Sequence, residues 1–394
     1  MKTRIIFLCM MSICSTLGWG QTWNLSATMT AVLEDNTLTV STTLEAEAMP
    51  DYGWLETPWY EDRDLIHSVV IEDKVTSVGN LTFIHCASLT SVTIANSVTS
   101  IGTWAFYNCY NLPSITIPEA VTTLGHAAFK FCAALTEIEI PASVSFIEGE
   151  MFIDCFQLEK IHVHADNAFY SSDDGVLYDK EKTTVIIYPQ GKSVSTFEIP
   201  GTVTIIEAGS FHGSSFESVT IPNSVTVIGA NAFELCAQLT SLTIPYSVTE
   251  IVDYAFNNCT GLIDVTVEWE TPLSVPELIF DYVNTSAVTL HVPSGRKFLY
   301  LDADVWMDFG MIEEYEFSGN DKIGVPTLKV FASNGILYIT GLTPGKPLYI
   351  YNLSGQQLYS GITKAEEECI PLSRRGICII VAGEQCVKVN VSGF

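Results

Sequence analysis

Apolar and polar positions recur along this chain at a nearly constant step. In its fullest form, from Val98 to Pro118, one copy holds a valine, an Ile-Gly pair, an Ala-Phe pair, a cysteine and a leucine, and ends in an alternating Ile-Thr-Ile-Pro segment. A strict period in the range of about 20 to 29 residues predicts a solenoid in which each copy is one coil. The first valine stands at Val75, Val98, Val121, Val144, Val203, Val225 and Val248, at spacings of 23, 23, 23, 59, 22 and 23 residues.

The alternating segment of each copy predicts a short strand. In Val92-Thr93-Ile94 the two aliphatic side chains point inward and the threonine points outward, because side chains alternate across a strand. We expect the strands of successive coils to stack into one ladder, with Phe106 and its counterparts filling the interior from the other side. Gly102 is predicted to occupy a tight turn, and Pro118 ends the strand that precedes it.

The copies share the consensus Val-Thr-x-Ile-Gly-x-x-Ala-Phe-x-x-Cys-x-x-Leu-x-x-Val-x-Ile-Pro. This unit resembles the BspA-type leucine-rich repeats of bacterial surface proteins. The resemblance covers residues 74–316 and includes seven in-register coils, and the preceding segment is similar to the N-terminal cap of that family. It implies a β-rich solenoid, a leucine-rich repeat array of 23-residue coils, in an exported surface protein of Bacteroidetes. Solenoid surfaces of this kind bind partners and seldom catalyse reactions.

Departures from the period divide the rest of the chain. Residues 21–73 alternate polar and apolar positions without the repeat, which predicts an N-terminal β cap over the open end of the first coil. Residues 164–200 predict one enlarged irregular repeat that contains a β-hairpin, and insertions of this kind often carry binding. The period fades over residues 269–316, which predict a C-terminal cap. A polar linker at residues 317–326 then precedes a small C-terminal β-sandwich at residues 327–394.

The C-terminal segment resembles the C-terminal sorting domains of the type IX secretion system of Bacteroidetes. Cys378 replaces an aromatic residue of that pattern. The resemblance implies export and surface sorting by that machinery. It rests on Ile350-Tyr351-Asn352-Leu353-Ser354-Gly355-Gln356, Arg375-Gly376-Ile377-Cys378-Ile379-Ile380 and Cys386-Val387-Lys388-Val389.

Charge and the N-terminal residues indicate location and exclude some partners. Lys2 and Arg4 precede an apolar run and the small residues Gly18 and Gly20, which is typical of a secretory signal peptide over residues 1–20. The net charge of −27 repels nucleic acid and anionic lipid. No later apolar run approaches the roughly 18 residues that a membrane helix needs. We therefore expect a protein that is secreted or held at the outer cell surface, with no nucleic-acid partner and no membrane span.

Six of the eleven cysteines occupy the same position in their coils. An inward column of this kind predicts buried free thiols, which behave as small apolar side chains. Disulfides between neighbouring coils and a column of metal ligands are the alternatives, since stacked strands lie about 4.8 Å apart. In the C-terminal segment, the pairing of Cys369, Cys378 and Cys386 is left open. The column consists of Cys86, Cys109, Cys132, Cys155, Cys236 and Cys259.

Two further groups of residues could carry chemistry. His162-Val163-His164-Ala165-Asp166 matches part of the His-x-His-x-Asp pattern of metallo-β-lactamase-like hydrolases. However, His162 falls at an outward ladder position, and Asn167 stands where that pattern has a further histidine. The acidic residues around Asp173 lack the spacing of an EF-hand loop, so a solvated hairpin and a weak calcium site are both retained. We predict no enzymatic activity, no cofactor and no catalytic metal site.

The outward strand positions form two parallel columns, and these are the predicted interaction face. Serine and threonine suit an exposed strand for structural reasons alone, so the prediction rests on the continuous face and not on any single residue. We expect noncatalytic, adhesin-like binding of an extracellular or cell-surface protein, with a glycan as the second ligand class. The alternative is a structural or assembly component of the bacterial envelope with no host ligand. The face comprises Ser91, Thr93, Ser114, Thr116, Glu137, Glu139, Lys160, His162, Ser218, Thr220, Ser241, Thr243, Asp264 and Thr266.

Overall fold

The described residues divide into two units, one within Met1–Phe317 and the other within Ser318–Phe394. Residues 1–19 of the predicted signal peptide and the predicted linker lie outside the residues that the structure describes. The structure, a computed structural model, describes residues 20–315, 328–333, 336–342, 344–352, 356–365, 367–372, 376–382 and 385–391.

The first unit is a β-solenoid of about 11 turns with roughly 23 residues in each coil, which confirms the predicted fold. We number the regular coils by their first valine, from coil 1 at Val75 to coil 7 at Val248. The strands after each repeat leucine form the front ladder, and the short strands near each first valine form the rear ladder. The stacked turns around each Ala-Phe pair form the turn face. The apolar repeat positions fill the interior between these three rows.

Residues 21–73 form a cap at the N-terminal end of the solenoid. Its first three strands make an antiparallel meander, and the third pairs in parallel with the first strand of the front ladder, where Leu38 lies opposite Val69. Met29, Ala31 and Leu38 are fully buried, so the meander covers the apolar end of the first coil. The elements are β1 (Gln21–Asn24), β2 (Met29–Glu34), β3 (Thr37–Thr42), β4 (Glu47–Ala48), which begins the rear ladder, and a 3-10 helix at Tyr60–Leu65.

The first four coils stack in parallel. In the rear ladder Ser100 pairs with Thr123 of the next coil, and in the front ladder Glu137 pairs with Lys160. Both partners are one repeat apart, so the sequence period becomes a spatial register. The strands are β5 (Ser68–Ile71), β6 (Val75–Val78), β7 (Ser91–Ile94), β8 (Ser100–Ile101), β9 (Thr123–Leu124), β10 (Glu137–Ile140), β11 (Phe146–Ile147) and β12 (Lys160–Val163). The strands β5, β7, β10 and β12 belong to the front ladder and the others to the rear ladder.

The front ladder has a gap in coil 2, where the sequence predicts a strand. Residues 114–117 keep the alternation of buried and exposed side chains but form no strand. They follow Pro113, whose counterpart in coil 1 is Thr90. Thr90 donates its N–H to the carbonyl of His67 at 2.8 Å, and proline has no N–H to donate. The prediction of an unbroken ladder is therefore wrong at this coil.

A hairpin occupies part of residues 164–200, in the enlarged repeat. Its two strands pair with Ser172 opposite Leu177, and a third strand continues into the rear ladder, where Val185 pairs with Ile206. The enlarged repeat thus joins the rear ladder and starts a new segment of the front ladder. The strands are β13 (Tyr170–Asp173), β14 (Val176–Asp179), β15 (Thr184–Ile187) and β16 (Thr196–Glu198).

From β16 onward the front ladder consists of six parallel strands in sequence order. The last two lie beyond the point where the repeat pattern fades, so the terminal segment continues the ladder as well as covering its end. Trp269 donates its indole N–H to the carbonyl of Val248, and Trp306 donates to Leu273, each at 2.8 Å. No helix in the described residues reaches the length and apolarity of a membrane span.

The strands of this second half are β17 (Ile205–Ile206), β18 (Ser218–Thr220), β19 (Val227–Ile228), β20 (Ser241–Ile244), β21 (Glu250–Ile251), β22 (Asp264–Val267), β23 (Thr289–Pro293) and β24 (Met311–Tyr315). Its helices are α1 (Lys297–Tyr300) and two 3-10 helices, Thr285–Ala287 and Trp306–Asp308. The even-numbered strands from β18 to β24, together with β23, belong to the front ladder.

The phenylalanines at the second position of the repeat's Ala-Phe pair, where Thr82, Met151 and Ser210 replace the alanine in coils 1, 4 and 5, form two stacked columns in the core. The ring centroids of Phe83 and Phe106 lie 5.2 Å apart, and those of Phe106 and Phe129 lie 5.7 Å apart. In the second column Phe211 and Phe233 lie 4.9 Å apart with nearly parallel rings. Each such pair adds about 0.5–1.5 kcal/mol beyond the burial of its area. The enlarged repeat separates the columns and divides the core into two clusters.

Gly102 begins a turn, as predicted, since its carbonyl accepts the N–H of Ala105 at 3.3 Å, but what requires glycine here is a close approach between coils. It is not among the residues with positive φ. A Cβ at Gly102 would lie 2.8 Å from the backbone of both Asn80 and Gly79. A Cβ at Gly125, one coil later, would lie 2.6 Å from Gly102. The missing side chain therefore allows neighbouring turns to stack.

Two positions in every regular coil adopt a left-handed backbone conformation on the turn face. In coil 2 these are Trp104 and Asn108, with φ of 54° and 58°. Their N–H groups donate to carbonyls of the next coil at 2.9 and 2.8 Å. A left-handed non-glycine residue costs roughly 1–2 kcal/mol, which these hydrogen bonds offset. The residue types do not reveal the conformation, because only coil 5 has glycine at both positions, Gly209 and Gly213.

The second unit is a β-sandwich, in agreement with the predicted fold. Its described strands form two antiparallel sheets, one of three strands and one of four. Leu337 and Ile339 from one sheet and Leu348, Ile350 and Ile380 from the other are fully buried in a single cluster. The strands are β25 (Lys329–Ser333), β26 (Ile336–Thr340), β27 (Pro347–Asn352), β28 (Gln357–Ile362), β29 (Glu367–Pro371), β30 (Gly376–Ala382) and β31 (Gln385–Val391).

Candidate interaction face

Twelve of the fourteen predicted face residues lie on front-ladder strands, in two columns. Ser114 and Thr116 lie in the coil that forms no strand. Ser218, Asp264 and Thr266 are half-buried, and the remaining eleven residues are exposed. The columns are interrupted at coil 2 and again at the enlarged repeat, so the face consists of separate segments.

The charged residues of the face meet on β10 and β12. Glu137 lies opposite Lys160 and Glu139 lies opposite His162 across the ladder. The Oε2 atom of Glu137 is 3.6 Å from Nε2 of His162, and both side chains are more than half exposed. Exposed ion pairs contribute about 0–1 kcal/mol to stability. These charges therefore stabilise the fold little and remain available to a partner.

The tip of the β13–β14 hairpin covers the free edge of β12 and adds charge beside it. Ile161 donates its N–H to the carbonyl of Gly175 at 2.9 Å, and a Cβ at Gly175 would lie 3.0 Å from Lys160. The neighbouring Asp174 pairs with Lys192 at 2.7 Å. The Lys192 hydrogen bond lowers the pKa of Asp174, and the charge of Lys160 acts in the same direction. The charged patch is defined as Glu137, Glu139, Lys160, His162, Asp173 and Asp174.

The structure brings three more charged residues into the outward columns. Glu198 extends them before coil 5, and His291 and Glu313 extend them beyond coil 7, next to Thr266. His291 Nε2 lies 3.0 Å from the Oδ1 atom of Asp264. Their strands lie outside the seven regular coils, so the period could not identify them. The alternating residues of β23 were the available signal.

The residues of the histidine motif divide between the interaction face and the start of the enlarged repeat. His162 is exposed on β12, and His164 accepts the N–H of Asp166 on Nδ1 at 3.2 Å. Asn167 is 1% exposed and donates to the carbonyls of Pro141, at the end of coil 3, and Val144, at the start of coil 4, at 2.8 and 2.9 Å. It also accepts two N–H groups of the enlarged repeat at 2.8 Å. Asn167 thus ties the enlarged repeat to coil 4.

The carboxylates of the enlarged repeat have partners in the protein. Asp173 pairs with Lys182 at 2.6 Å. Asp179 accepts the N–H of Thr184 at 2.7 Å and the hydroxyl of Thr183 at 2.6 Å. Among the residues that the structure describes, no three His, Cys, Asp or Glu side chains are arranged to hold a metal ion. The hairpin thus uses its acidic residues in ion pairs and turn hydrogen bonds.

The six column cysteines are buried free thiols, which confirms the prediction. Burial raises the pKa of Cys86 and of Cys132 to about 12. These thiols stay protonated at neutral pH, and the thiolate is the form that reacts or binds metal. In the second unit Cys369 is exposed and Cys378 is buried, both as free thiols. The side chain of Cys386 lies outside the described residues.

Comparisons with known families cover most of the chain. A family model described as the BspA type leucine rich repeat region matches in six copies, over residues 59–174 and 188–299. A second model, described as a domain of unknown function (DUF6383), matches residues 317–391. The sorting-domain resemblance of the second unit is therefore not shown by its family match. No curated protein matches the chain.

Two solved structures illustrate the similarity. A leucine-rich repeat protein from Eubacterium ventriosum is 31% identical, with a TM-score of 0.59 over 70% of this chain and 78% of that chain. A leucine rich cell surface protein from Faecalibacterium prausnitzii is 22% identical, with a TM-score of 0.38 over 78% of this chain and 96% of that chain. The repeat match extends over more than half of the residues and agrees with the solenoid described above. The chain therefore belongs to the BspA-type leucine-rich repeat family.

Proposed function

We propose that this protein is a noncatalytic, exported or surface-displayed binding protein that contacts its partner through the front ladder. The observation that carries the proposal is the charged patch on β10, β12 and the hairpin tip. Glu137 and His162 are exposed on neighbouring hydrogen-bonded strands. The Oε2 atom of Glu137 lies 3.6 Å from Nε2 of His162, so their interaction is weak. Such a surface loses little internal stabilisation when its charges pair with a partner.

The proposed partner is an extracellular or cell-surface protein, with a glycan as the second ligand class, so the role is adhesin-like. The patch places Lys160 and His162 beside carboxylates, and mixed charges of this kind confer specificity and register at protein interfaces. The proposed location is secreted or at the outer cell surface. The signal-peptide pattern of residues 1–20 supports that location.

The test compares two triple variants of the protein. One carries Glu137→Ala, Lys160→Ala and His162→Ala. The matched control carries Glu119→Ala, Glu250→Ala and Lys297→Ala, at exposed positions outside the front ladder. Both are assayed against immobilised extracellular-matrix proteins and intact cells. We expect the first variant to lose at least tenfold in binding and the control to stay within twofold. Binding that is the same in the wild type and the first variant would refute the proposal.

The same assay decides between a host ligand and the envelope alternative. Capture of further copies of this chain or of envelope components, without binding to matrix proteins or cells, would favour a structural or assembly role. For the second unit we propose sorting or surface attachment, supported by its separate β-sandwich and its resemblance to sorting domains. Mass spectrometry of protein recovered from cell surface and medium tests this. An intact second unit in both fractions would argue against removal during export.

A further inference from the structure

A cleft of about 290 Å³ lies between coil 4 and coil 5, where the enlarged repeat separates them. Its walls come from residues 147–153 of coil 4, from residues within 207–212 of coil 5, and from the enlarged repeat around Tyr170 and within 184–190. None of the fourteen predicted face residues lines it. The volume is near the lower end of the range of about 300–1,000 Å³ that holds small ligands. The volume of the cleft is therefore suited to a short segment of polypeptide.

The backbone of the coil 4 wall lacks hydrogen bonds that other coils make. On the turn face of coils 1, 2, 3, 5 and 6, three alternate N–H groups donate to carbonyls of the next coil, in coil 1 at 2.9, 2.8 and 2.8 Å. The equivalent residues of coil 4 are Glu150, Phe152 and Asp154. Their N–H groups make no hydrogen bond within the described chain. Because the enlarged repeat follows coil 4, the coil that would supply the carbonyls is displaced.

The coil 5 wall offers the matching acceptors. By the same register, the carbonyls of Ala208, Ser210 and His212 would receive the three N–H groups. Ser210 instead accepts the N–H of Tyr188, from the enlarged repeat, at 2.7 Å. The carbonyls of Ala208 and His212 accept no hydrogen bond from any described residue. Unpaired backbone groups are rare in folded proteins, so donors on one wall and acceptors on the other indicate room for one more backbone segment.

Two side chains at the cleft also carry buried polar atoms that have no hydrogen-bond partner among the described residues. The imidazole of His212 is 8% exposed, and neither ring nitrogen makes a hydrogen bond. The carboxylates of Asp154 and Glu234 lie 3.6 and 3.3 Å from those nitrogens. The Oε1 atom of Gln190 is buried and has no hydrogen-bond partner either. Buried polar atoms without hydrogen bonds are rare, so their presence in a cleft indicates a ligand that forms hydrogen bonds with them.

The charge of the walls favours a basic occupant. Glu148, Glu150, Asp179 and Glu207 all line the cleft. Glu150 is paired with Lys130 at 2.7 Å, whereas the exposed carboxylate of Glu207 has no partner within the described chain. Isoleucine and methionine side chains line the same walls. An apolar wall beside a carboxylate suits the long stem and charged end of arginine or lysine.

We propose that this cleft binds an extended, basic segment of a partner protein. Carbonyls of the segment accept the N–H groups of Glu150 and Phe152, and its own N–H groups donate to Ala208 and His212. An arginine or lysine of the segment lies against Glu207. The segment supplies the inter-coil hydrogen bonds that the turn face lacks between coil 4 and coil 5, as an added strand pairs with an open sheet edge. The site is separate from the front ladder, so its test does not depend on the proposed function.

The test uses the full chain and the fluorescein-labelled octapeptide Ser-Gly-Val-Arg-Val-Arg-Gly-Ser, measured by fluorescence polarisation. We expect saturable binding by the wild type and at least tenfold weaker binding of the peptide with glutamate in place of both arginines. The variants Glu207→Lys and Ala208→Trp, at exposed positions of the cleft, each weaken binding at least tenfold. The control Glu217→Lys makes the same charge change on coil 5 outside the cleft and stays within twofold.

Hydrogen–deuterium exchange measured by mass spectrometry tests the backbone pairing directly. Saturation with the arginine octapeptide should slow exchange in the fragment that contains residues 150–154 and leave the equivalent fragment of coil 2 unchanged. Absence of saturable binding, an equal loss in Glu217→Lys, or unchanged exchange at residues 150–154 would each overturn the proposal.

Discussion

The thiol of Cys109 donates a hydrogen bond to the backbone carbonyl of Phe83 in the preceding coil, over 3.3 Å. Because the spacing within the repeat is constant, this contact recurs as a series of weak hydrogen bonds through the core, next to the stacked phenylalanine rings. Cysteine therefore serves as a small core side chain with one usable donor. The other contacts are Cys132 to Phe106 at 3.3 Å, and Cys155 to Phe129, Cys236 to Phe211 and Cys259 to Phe233 at 3.1 Å each.

Ser214 takes the cysteine position in coil 5 but lacks this bond. Its hydroxyl is buried with no hydrogen-bond partner in the described part of the chain, because the enlarged repeat displaces coil 4 from coil 5. A buried unpaired hydroxyl costs about 1–3 kcal/mol. We expect Ser214→Ala to raise the free energy of unfolding by about 1 kcal/mol, measured by urea denaturation. The matched change Cys236→Ala, which removes a bonded thiol, should lower it; the same sign in both variants would contradict this account.

The column thiols should be unreactive in the folded protein. Burial raises the pKa of Cys132 to about 12, and the thiolate is the species that is alkylated. We expect iodoacetamide at pH 8 to label the exposed Cys369 within minutes and to label Cys109 and Cys132 only after unfolding. Peptide mapping by mass spectrometry measures each site. Rapid labelling of Cys132 without denaturant would contradict the burial of this column.

Replacement of Pro113 should repair the gap in the front ladder. Pro113→Thr supplies the N–H that Thr90 and Thr136 use in the neighbouring coils. We expect slower amide exchange at residues 114–117, measured by hydrogen–deuterium exchange. The gain in stability should stay below about 1 kcal/mol, because the loss of proline also frees the unfolded chain. Thr136→Pro is the matched control and should speed exchange in the next strand. Unchanged exchange in both variants would show that the proline does not cause the gap.

The cap should weaken as the pH falls. The carboxylate of Glu47 accepts hydrogen bonds from the hydroxyls of Thr42, Ser26 and Thr28. These bonds, with that of Thr42 first, lower the pKa of Glu47 from its ordinary value of 4.5. A lowered folded-state pKa gives stabilisation that is complete above the ordinary value and is lost as the pH falls through the folded-state value.

Glu47→Gln tests this carboxylate. We expect the Tm of the wild type to exceed that of the variant at pH 7, and the difference to shrink towards pH 3. Glu45→Gln is the control, since Glu45 is 94% exposed in its pair with Lys74 and should show little difference at either pH. A difference for Glu47→Gln that is independent of pH would rule out the ionised carboxylate as its cause.

The repeat period predicts the solenoid because apolar positions must meet in each successive coil. It also predicts the inward column of Cys109 and its counterparts, since residues at the same repeat position lie above one another in successive coils. It does not predict what depends on local backbone chemistry. Pro113 removes a single donor, and Trp104 adopts a left-handed conformation that its residue type disfavours. The reason for Gly102 was likewise hidden, because the close approach is to the preceding coil and not within its own turn.

The candidate sites show the same division. The outward columns follow from alternation along strands, so Glu137 and His162 could be placed on them from the sequence. The placement of the charged tip at Asp174 beside Lys160, and the open N–H groups at Phe152, could not be predicted. Both depend on how the enlarged repeat folds against its neighbours, and that repeat has no counterpart from which a register can be read. Whether these residues bind a partner stays a prediction.

The junction between coil 4 and coil 5 also has a mechanical consequence. A repeat solenoid is held along its axis only by contacts between neighbours, so a pull on its ends loads every junction equally. At this junction the N–H groups of Glu150 and Phe152 have no partner among the described residues, and the front strands β12 and β16 are not joined. Under tension the molecule should part here first, into two halves that each keep a stacked phenylalanine core.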